Sequence, residues 1–534
     1  MTEAALEPTG VPASRRGSLP FSFVVEGIWV VLAAGLVLRL ILAFLPGFGV
    51  DIGLFTYWSE QLAARGPWHF YDQDFFTDYA PGYMYVLFLI GKLDQLVNTL
   101  GIREGGFSPA TFEYILKIPA IAADLGSAYV LWRLLDGKKP EVRIFAASLY
   151  LLLPPVLLIG PIWGQVDSVL AFFLLLSVYY ISKDKPIHGA VAFTVGFLVK
   201  PQAVAALPIL AFWIMKSHPP RWVKPSGGSL AWLAGCLLVA VGAVAAVGFQ
   251  VAEIPSAARA GALVAIAGAL IIVFRLVSDP AGADAGSPTG AFRGIPAIPR
   301  LWVQITGICL ALLFALIMPF FLLQPWDFID HMRGSTEVYK VNSFWAFNFW
   351  NMFGLFDGGF KADVTGIEIG QGDTYGIENR IWGIGLYVIS TLTILVALRK
   401  REGAGWLSFG VALSVLAFYM FVTRMHERYM FPVLLPLLAA CFLIEGPVRW
   451  RVALWSLFGV VMVAHFLNLY HVYMYYNPNS LKVNWIYDIF ANGDFLSTGL
   501  ETVQVLSAVL LASLIALLVY AFAYRRATPD SETS

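Results

Sequence analysis

The sequence predicts an all-α, polytopic transmembrane bundle of about 13 to 15 helices, with amphipathic interfacial helices in its loops. Three observations predict it. The 534 residues are 58% hydrophobic with a mean hydropathy of +0.72. Only 13% are charged, about half the fraction of an ordinary soluble domain. The apolar residues gather in a series of runs near the length of a bilayer crossing.

Charge excludes some functions. Lys plus Arg equals Asp plus Glu at 35 each, so nothing in the overall balance points to nucleic acid or an acidic macromolecule as partner, and any charge logic is local. Cys236, Cys309 and Cys441 each sit inside an apolar run, with no spacing that suggests a metal site or a disulfide framework. They read as small buried hydrophobes.

Residues 1–23, with Pro8, Pro12 and the pair Arg15-Arg16, predict a disordered cytoplasmic tail. The run Val24 to Leu45 is long enough to cross a bilayer and too long for a signal-peptide core, so it predicts a retained first helix and argues against a twin-arginine leader. Further apolar runs fall at 83–100, 113–135, 143–160, 167–182, 187–199, 201–216, 229–250, 260–277, 301–324, 381–398, 405–422, 430–446, 451–475 and 501–524. This divides the chain into a transmembrane module at 24–324 with a first extracytoplasmic loop at 46–82, a large extracytoplasmic loop at 325–380, C-terminal helices at 381–525 and a tail at 526–534.

Basic clusters at Arg525-Arg526, Arg449 to Arg451, Arg399 to Arg401, Arg293 and Arg300, and Lys216 to Lys224 fall on one side, which the positive-inside rule makes cytoplasmic. The same parity puts 161–167, Lys200, 325–380 and 423–429 on the opposite face. Parity slips by one between residues 83 and 143 if the N terminus and Lys138-Lys139 are both cytoplasmic, so one pass there is broken, merged or re-entrant. The stretches Pro46 to Pro81 and Gln324 to Arg380 mix Trp, Phe and Tyr with acids, as interfacial helices do. Residues 278–300 predict a flexible cytoplasmic linker.

The candidate chemistry lies in what the apolar runs do not absorb. Asp51 follows the first helix, and Glu60, Asp72, Asp74 and Asp78 follow in the same loop. Such acids often only mark the water boundary. Asp51 (GVDIGLFTYW) and Asp78 (FFTDYAPGYMY) are instead bounded by apolar and aromatic residues, where a raised pKa and general-base behaviour become available. In GPIWGQVDSV, a turn explains Gly160, Pro161 and Gly164 but does not need Trp163, Gln165 and Asp167 together. Lys200 lies in a nearly continuous hydrophobic tract, where it either snorkels or meets an anion. FVTRMHERYMF at 421–431 carries Arg424, His426, Glu427 and Arg428 between two apolar runs. Two arginines on a non-cytoplasmic face suit an anionic ligand such as a phosphate; mutually paired charges capping two helices are the alternative. No Walker loop, GxGxxG after a strand, HExxH or GxSxG is present, which leaves nucleotide hydrolysis, zinc proteolysis and serine hydrolysis without support.

These blocks resemble the GT-C superfamily of polytopic glycosyltransferases that take a sugar from a polyprenyl-phosphate carrier. Asp51, Tyr57-Trp58 and Asp78-Tyr79-Ala80-Pro81-Gly82 look like the first extracytoplasmic loop of dolichyl-phosphate-glucose glucosyltransferases and their bacterial relatives, with Ala80 in place of the family's usual proline. The order WGQVD, KPQ, VNSFWAFNFW at 341–350 and TRMHERY is similar to bacterial, mannosyltransferase-like members. The resemblance spans 51–429 and makes 24–324 the catalytic module.

It implies inverting transfer of one hexose, mannose or glucose, to a glycan, lipid-linked glycan or protein acceptor, at the extracytoplasmic face of a plasma or inner membrane. Asp51 becomes the catalytic base. Arg428, Arg424 and Lys200 become the cations that hold the donor phosphate and its developing charge. Asp78, Gln165, Asp167, Gln202, His426 and Glu427 become sugar or acceptor contacts, with Trp163 as a stacking face. The resemblance implies no cofactor and no metal, although the oligosaccharide-transferring branch holds a divalent cation in its acidic loop. A lipid-linked glycan ligase or polymerase, and a lipid or sugar transporter, are the competing readings; a transporter usually shows internal repeats, which the two large loops do not.

Overall fold

The computed structural model describes residues 21–68, 70–72, 75–219, 221–223, 295–297, 300–321, 325–338, 341–353, 373–374, 376–491 and 501–524. Among them, helices run in the order α1 Phe21–Leu42, α2 Gly49–Arg65, α3 Pro81–Thr99, α4 Pro109–Leu134, α5 Pro140–Leu152, α6 Pro154–Leu157, α7 Asp167–Ser182, α8 Pro186–Val199 and α9 Leu207–Ser217. They continue as α10 Arg300–Phe321, α11 Pro325–Val338, α12 Asn379–Leu398, α13 Ala404–Phe421, α14 Leu434–Leu443, α15 Val448–Tyr476, α16 Asn484–Ala491 and α17 Thr502–Ala523. The molecule is an all-α bundle. Proline starts many of these helices because its fixed φ suits the first turn and its missing N–H has no partner there. In α4 the cap is complete: Ser108 accepts from Thr111 N at 3.2 Å, and Pro109 follows it.

Among the described residues, six helices are long and apolar enough to cross a membrane: α4, α10, α12, α13, α15 and α17. A seventh span arises if α5 and the segment Pro154–Trp163, bent by 54°, count as one. Residues 27–42 of α1, with α7, α8 and the Pro201–Ser217 segment, are shorter apolar helices. Only 11% of the most apolar window of α10 is buried, and Ile308, Leu310 and Phe314 face outward. Such a surface is unfavourable in water and natural against lipid tails. The chain is a multi-pass membrane protein.

Several expectations change in detail. The run 83–100 is α3, and it is not among the candidate spans. α3 begins next to Asp78 and Tyr79, and Asp94 near its end accepts from Phe107 N at 2.5 Å, just before α4. At the start of α4, Glu113 accepts from Gly47 N at 2.6 Å. The end of α3 is thus held to the segment that leads into α4, and the start of α4 to the segment that follows α1. α2 runs beside α3 in the same direction, with Phe55 5.5 Å from Tyr83 and Ala63 O accepting from Lys92 Nζ at 2.7 Å.

The run 143–160 is broken at Leu153, which takes an extended conformation (φ −61°, ψ 129°) because Pro154 crowds a helical one. The run 430–446 begins as a 3-10 turn, Glu427–Val433, and leaves only ten residues for α14, about 15 Å of helix and too short to cross alone. Within the predicted linker, Ile295–Ala297 pairs antiparallel with Arg221–Val223. The runs 229–250 and 260–277, the rest of that linker up to residue 294, and Cys236 lie outside the described residues. Cys441 is buried and Cys309 partly so.

The central column is α13, buried at every position from Gly405 to Ala417. It is apolar all round, as a helix enclosed by others must be. A second, smaller core joins α2 and α3 to the ends of α10 and α11 through Phe55, Trp58, Tyr83, Phe320, Phe321 and Phe328. The site lies at the junction of the two cores.

Candidate functional site

The first turn of α2 places Asp51. Phe48 N donates to Trp163 O at 3.1 Å, and Trp163 Nε1 donates to Asp51 Oδ2 at 2.8 Å, so backbone and side chain both tie this turn to the loop before α7. That loop is a π-helical segment, Leu158–Trp163, ended by Gly164 at φ 85°, a conformation glycine adopts without strain. Gly160 is required for a different reason. A Cβ there would lie 2.7 Å from Asp124 Oδ2.

The loop between α2 and α3 places Asp78. Trp58 Nε1 donates to Phe76 O at 2.9 Å and Tyr71 OH to Tyr79 O at 2.9 Å, while the Tyr71 ring stacks on Phe321 at 4.8 Å. Burial, more than neighbouring charge, pushes the Asp78 carboxyl up to about 6; Arg428 opposes this and Asp51 adds to it. Asp78 Oδ1 is buried without a hydrogen-bond partner among the described residues. Glu60 is exposed, and Asp74 and the side chain of Asp72 lie outside the described residues.

The third contribution comes from the short segment after α13. Met425–His426 pairs in parallel with Ser343–Phe344, and Arg424 N donates to Val341 O and Asn342 O at 3.0 and 3.2 Å. This ladder brings the 341–350 and 423–429 blocks together. The following 3-10 turn presents Glu427 and Arg428, whose side chains meet at 3.0 Å, and Arg428 Nη2 stands 3.9 Å from Asp51 Oδ1. Burial, then Arg428 and Lys200, hold the His426 imidazole well below its ordinary pKa, so it is neutral at pH 7. Burial raises the Glu427 carboxyl while Arg428 draws it down.

Asp51, Asp78, His426, Glu427 and Arg428 line one recess of about 600 Å³, counting its open mouth. Phe48, Val50, Leu54, Phe55, Trp58, Phe76, Tyr79, Phe344, Trp345, Val472 and Tyr476 complete its wall. Three carboxylates and one guanidinium thus face an otherwise apolar and aromatic cleft. Val472 and Tyr476, at the end of α15, escaped the sequence reading because 451–475 reads as one apolar run; its closing LYHVYMYY, dense in Tyr and His, is the signal that marks them.

The remaining predicted residues stand outside this lining. Lys200 pairs with Asp167 at 2.8 Å, Gln202 Nε2 donates to Asp167 Oδ1 at 3.3 Å, and Tyr79 OH donates to Gln165 Oε1 at 3.1 Å. The four form a polar support behind Tyr79, whose ring centroid lies 5.5 Å from the Lys200 ammonium. Trp163 is fully buried with Phe48 stacked on it at 4.6 Å, so its ring face is already covered. Arg424 is half-buried at φ 65°. Among the described residues no three His, Cys, Asp or Glu side chains form a group that could hold a metal ion.

No protein-family model matches the chain, and no curated protein matches it either.

Proposed function

We propose that the chain is a glycosyltransferase of the GT-C type that transfers a single hexose, mannose or glucose, with inversion from a polyprenyl-phosphate donor to an acceptor hydroxyl at the extracytoplasmic membrane face. The observation that carries this reading is the convergence of Asp51, Asp78 and Arg428, from three separated blocks that resemble that superfamily in order, on one recess of an apolar bundle. A cleft with a charged floor and an apolar rim suits a ligand that is polar at one end and a lipid at the other.

In the reaction, the acceptor oxygen forms a bond to the anomeric carbon as the bond from that carbon to the phosphate oxygen breaks. The electron pair leaves with the polyprenyl phosphate. Asp51 Oδ1, on the side facing Arg428, takes the acceptor proton, while Trp163 holds Oδ2 and orients the carboxylate. Arg428 stabilises the charge that grows on the leaving phosphate, an interaction stronger in the transition state than in the ground state. Neutral His426 and the Asp78 carboxyl hydrogen-bond sugar or acceptor hydroxyls. Lys200, Asp167, Gln165 and Gln202 support Tyr79 rather than touching the donor phosphate, and aromatic contact with the sugar falls to Tyr476 and Phe76, the more exposed rings of the wall.

The decisive experiment incubates purified protein with short-chain polyprenyl-phosphate mannose, glucose and arabinose, and an acceptor extract, and measures release of free polyprenyl phosphate. Release from a hexose donor, lost in Asp51→Asn, is expected; no release from any donor overturns the reading.

A further inference from the structure

Of the non-glycine residues with positive φ among those described, two flank the small ladder at the recess: Trp345 at φ 60° and Arg424 at φ 65°. Side chains other than glycine avoid this region, so such a residue persists only where its surroundings hold it. What holds Trp345 is Asn468, a fully buried residue of α15. Its Nδ2 donates to Trp345 O at 2.7 Å, and its Oδ1 accepts from Phe347 N at 3.1 Å and from Tyr419 OH of α13 at 2.9 Å. One amide thus grips both sides of the turn and is itself locked to the central column. Ser343 Oγ closes the same turn on Ala346 O at 2.7 Å. Trp345 in turn bridges to His426, two residues before Arg428.

We propose that Asn468 is a positioning residue for the recess: by holding Trp345 in its left-handed conformation against His426, it sets where Arg428 and Glu427 stand. The consequence for donor binding rests on the glycosyltransferase reading; the mechanical part does not. An apolar side chain at 468 removes the hydrogen bond to the Trp345 carbonyl and takes from the buried Phe347 amide the acceptor it has here, and the turn then relaxes toward ordinary φ. The ladder to Met425–His426 shifts with it, and the guanidinium moves from the position that a phosphate oxygen requires.

Two measurements on the full-length protein in detergent test this, using Asn468→Leu and Asn468→Asp. The aspartate keeps an acceptor for Phe347 N and Tyr419 OH and, when ionised, sets a carboxylate oxygen in place of the donor to Trp345 O. Hydrogen–deuterium exchange should quicken in 343–347 and in 424–428 together, with the rest of the bundle unchanged. Affinity for short-chain polyprenyl phosphate should fall about tenfold in the Asn468→Leu protein but less than about twofold when Arg428→Ala is already present, because residues acting through one group are not additive. Exchange that quickens only in 343–347, or everywhere, overturns the proposal, as do additive losses in affinity. If the wild type does not bind polyprenyl phosphate at all, the glycosyltransferase reading fails while the exchange pattern still decides the role of Asn468. Should both variants fail to fold, Tyr419→Phe removes one hydrogen bond to the amide and should give the same pattern at smaller amplitude; no change in either segment then overturns it.

Discussion

Among the arginine–aspartate pairs of the described residues, two of the most buried are built to different ends. Arg39 of α1 meets Asp124 of α4 at 2.9 Å, with both side chains fully buried, and spends its other nitrogens on Gly35 O at 3.4 Å and Leu151 O at 3.1 Å. Arg428 stands 3.9 Å from Asp51, both side chains 10% exposed, and its Nε is buried without a partner among the described residues. The first pair is a strut. Its charges neutralise each other and its donors are used within the bundle, which ties α1, α4 and the end of α5 together. The second pair is near enough for attraction and too far for a hydrogen bond, and it opens on a recess. A charged pair that leaves donors unused next to a cleft has capacity for a ligand, whereas one that uses them internally has capacity only for structure.

Four substitutions test this contrast. Arg39→Ala should destabilise the protein most, by about 3 to 5 kcal/mol, because it leaves the Asp124 carboxylate buried and unpaired. Thermal unfolding in detergent measures it, and replacing both partners by leucine should recover most of the loss. An unchanged melting temperature in Arg39→Ala would mean the strut carries no load.

Asp51→Asn should do the opposite, leaving the melting temperature close to wild type while lowering turnover at least 100-fold, the usual contribution of a general base. Retention of more than about a tenth of wild-type turnover removes Asp51 as the base and passes the role to Asp78.

Arg428→Ala should weaken binding of both charged donor and free polyprenyl phosphate by about tenfold to 100-fold, since charge-assisted hydrogen bonds contribute about 1.5 to 3 kcal/mol. Arg428→Lys should restore only part, having the charge without the planar fork. A lowered melting point with unchanged phosphate affinity would class Arg428 with Arg39 as a strut.

Asp78→Asn should have the smallest effect, and one that depends on pH. Its folded pKa of about 6 lies above the usual carboxyl value of about 4, so the native state holds this proton more tightly than the unfolded chain does. The resulting stability is complete below about pH 4 and is lost as pH rises through about 6. Removing the ionisable group should therefore raise the melting temperature at pH 8, by the equivalent of about 1 to 3 kcal/mol, and change little at pH 4. Equal shifts at both pH values would show that the Asp78 carboxyl ionises as freely in the native state as in the unfolded chain.

Much of the bundle was legible in the sequence, because a crossing helix announces itself by length and continuous apolarity. The starts of α4 and α8 fall within a few residues of their predicted positions, and Pro109 and Pro186 mark them. α3 reads as an apolar run because its first half is as apolar as a span, in a stretch where one pass is expected to be broken, merged or re-entrant; Lys92 and Asp94 in its second half, bonded to Ala63 O and Phe107 N, set it apart from the candidate spans. Arg39 and Asp124 were passed over for a similar reason. Each is a lone charge in an apolar run, and only the packing of α1 on α4 shows that they neutralise one another.

The site divides along the same line. Which residue types are anomalous can be read along the chain: Asp51, Asp78 and the Arg424 to Arg428 cluster stand out because a charge beside an apolar run has a desolvation cost that its local neighbours do not offset. Which of these charges face a cleft depends on how the helices pack. Lys200 and Arg428 each have a carboxylate within 3.0 Å, but Arg428 lines the recess and Lys200 does not, and the Trp163 ring that read as an open face is covered by Phe48. Anomalous polarity is a property of one residue and its chain neighbours. Availability depends on partners that are distant in sequence, and the packing of the helices determines where those partners come to lie.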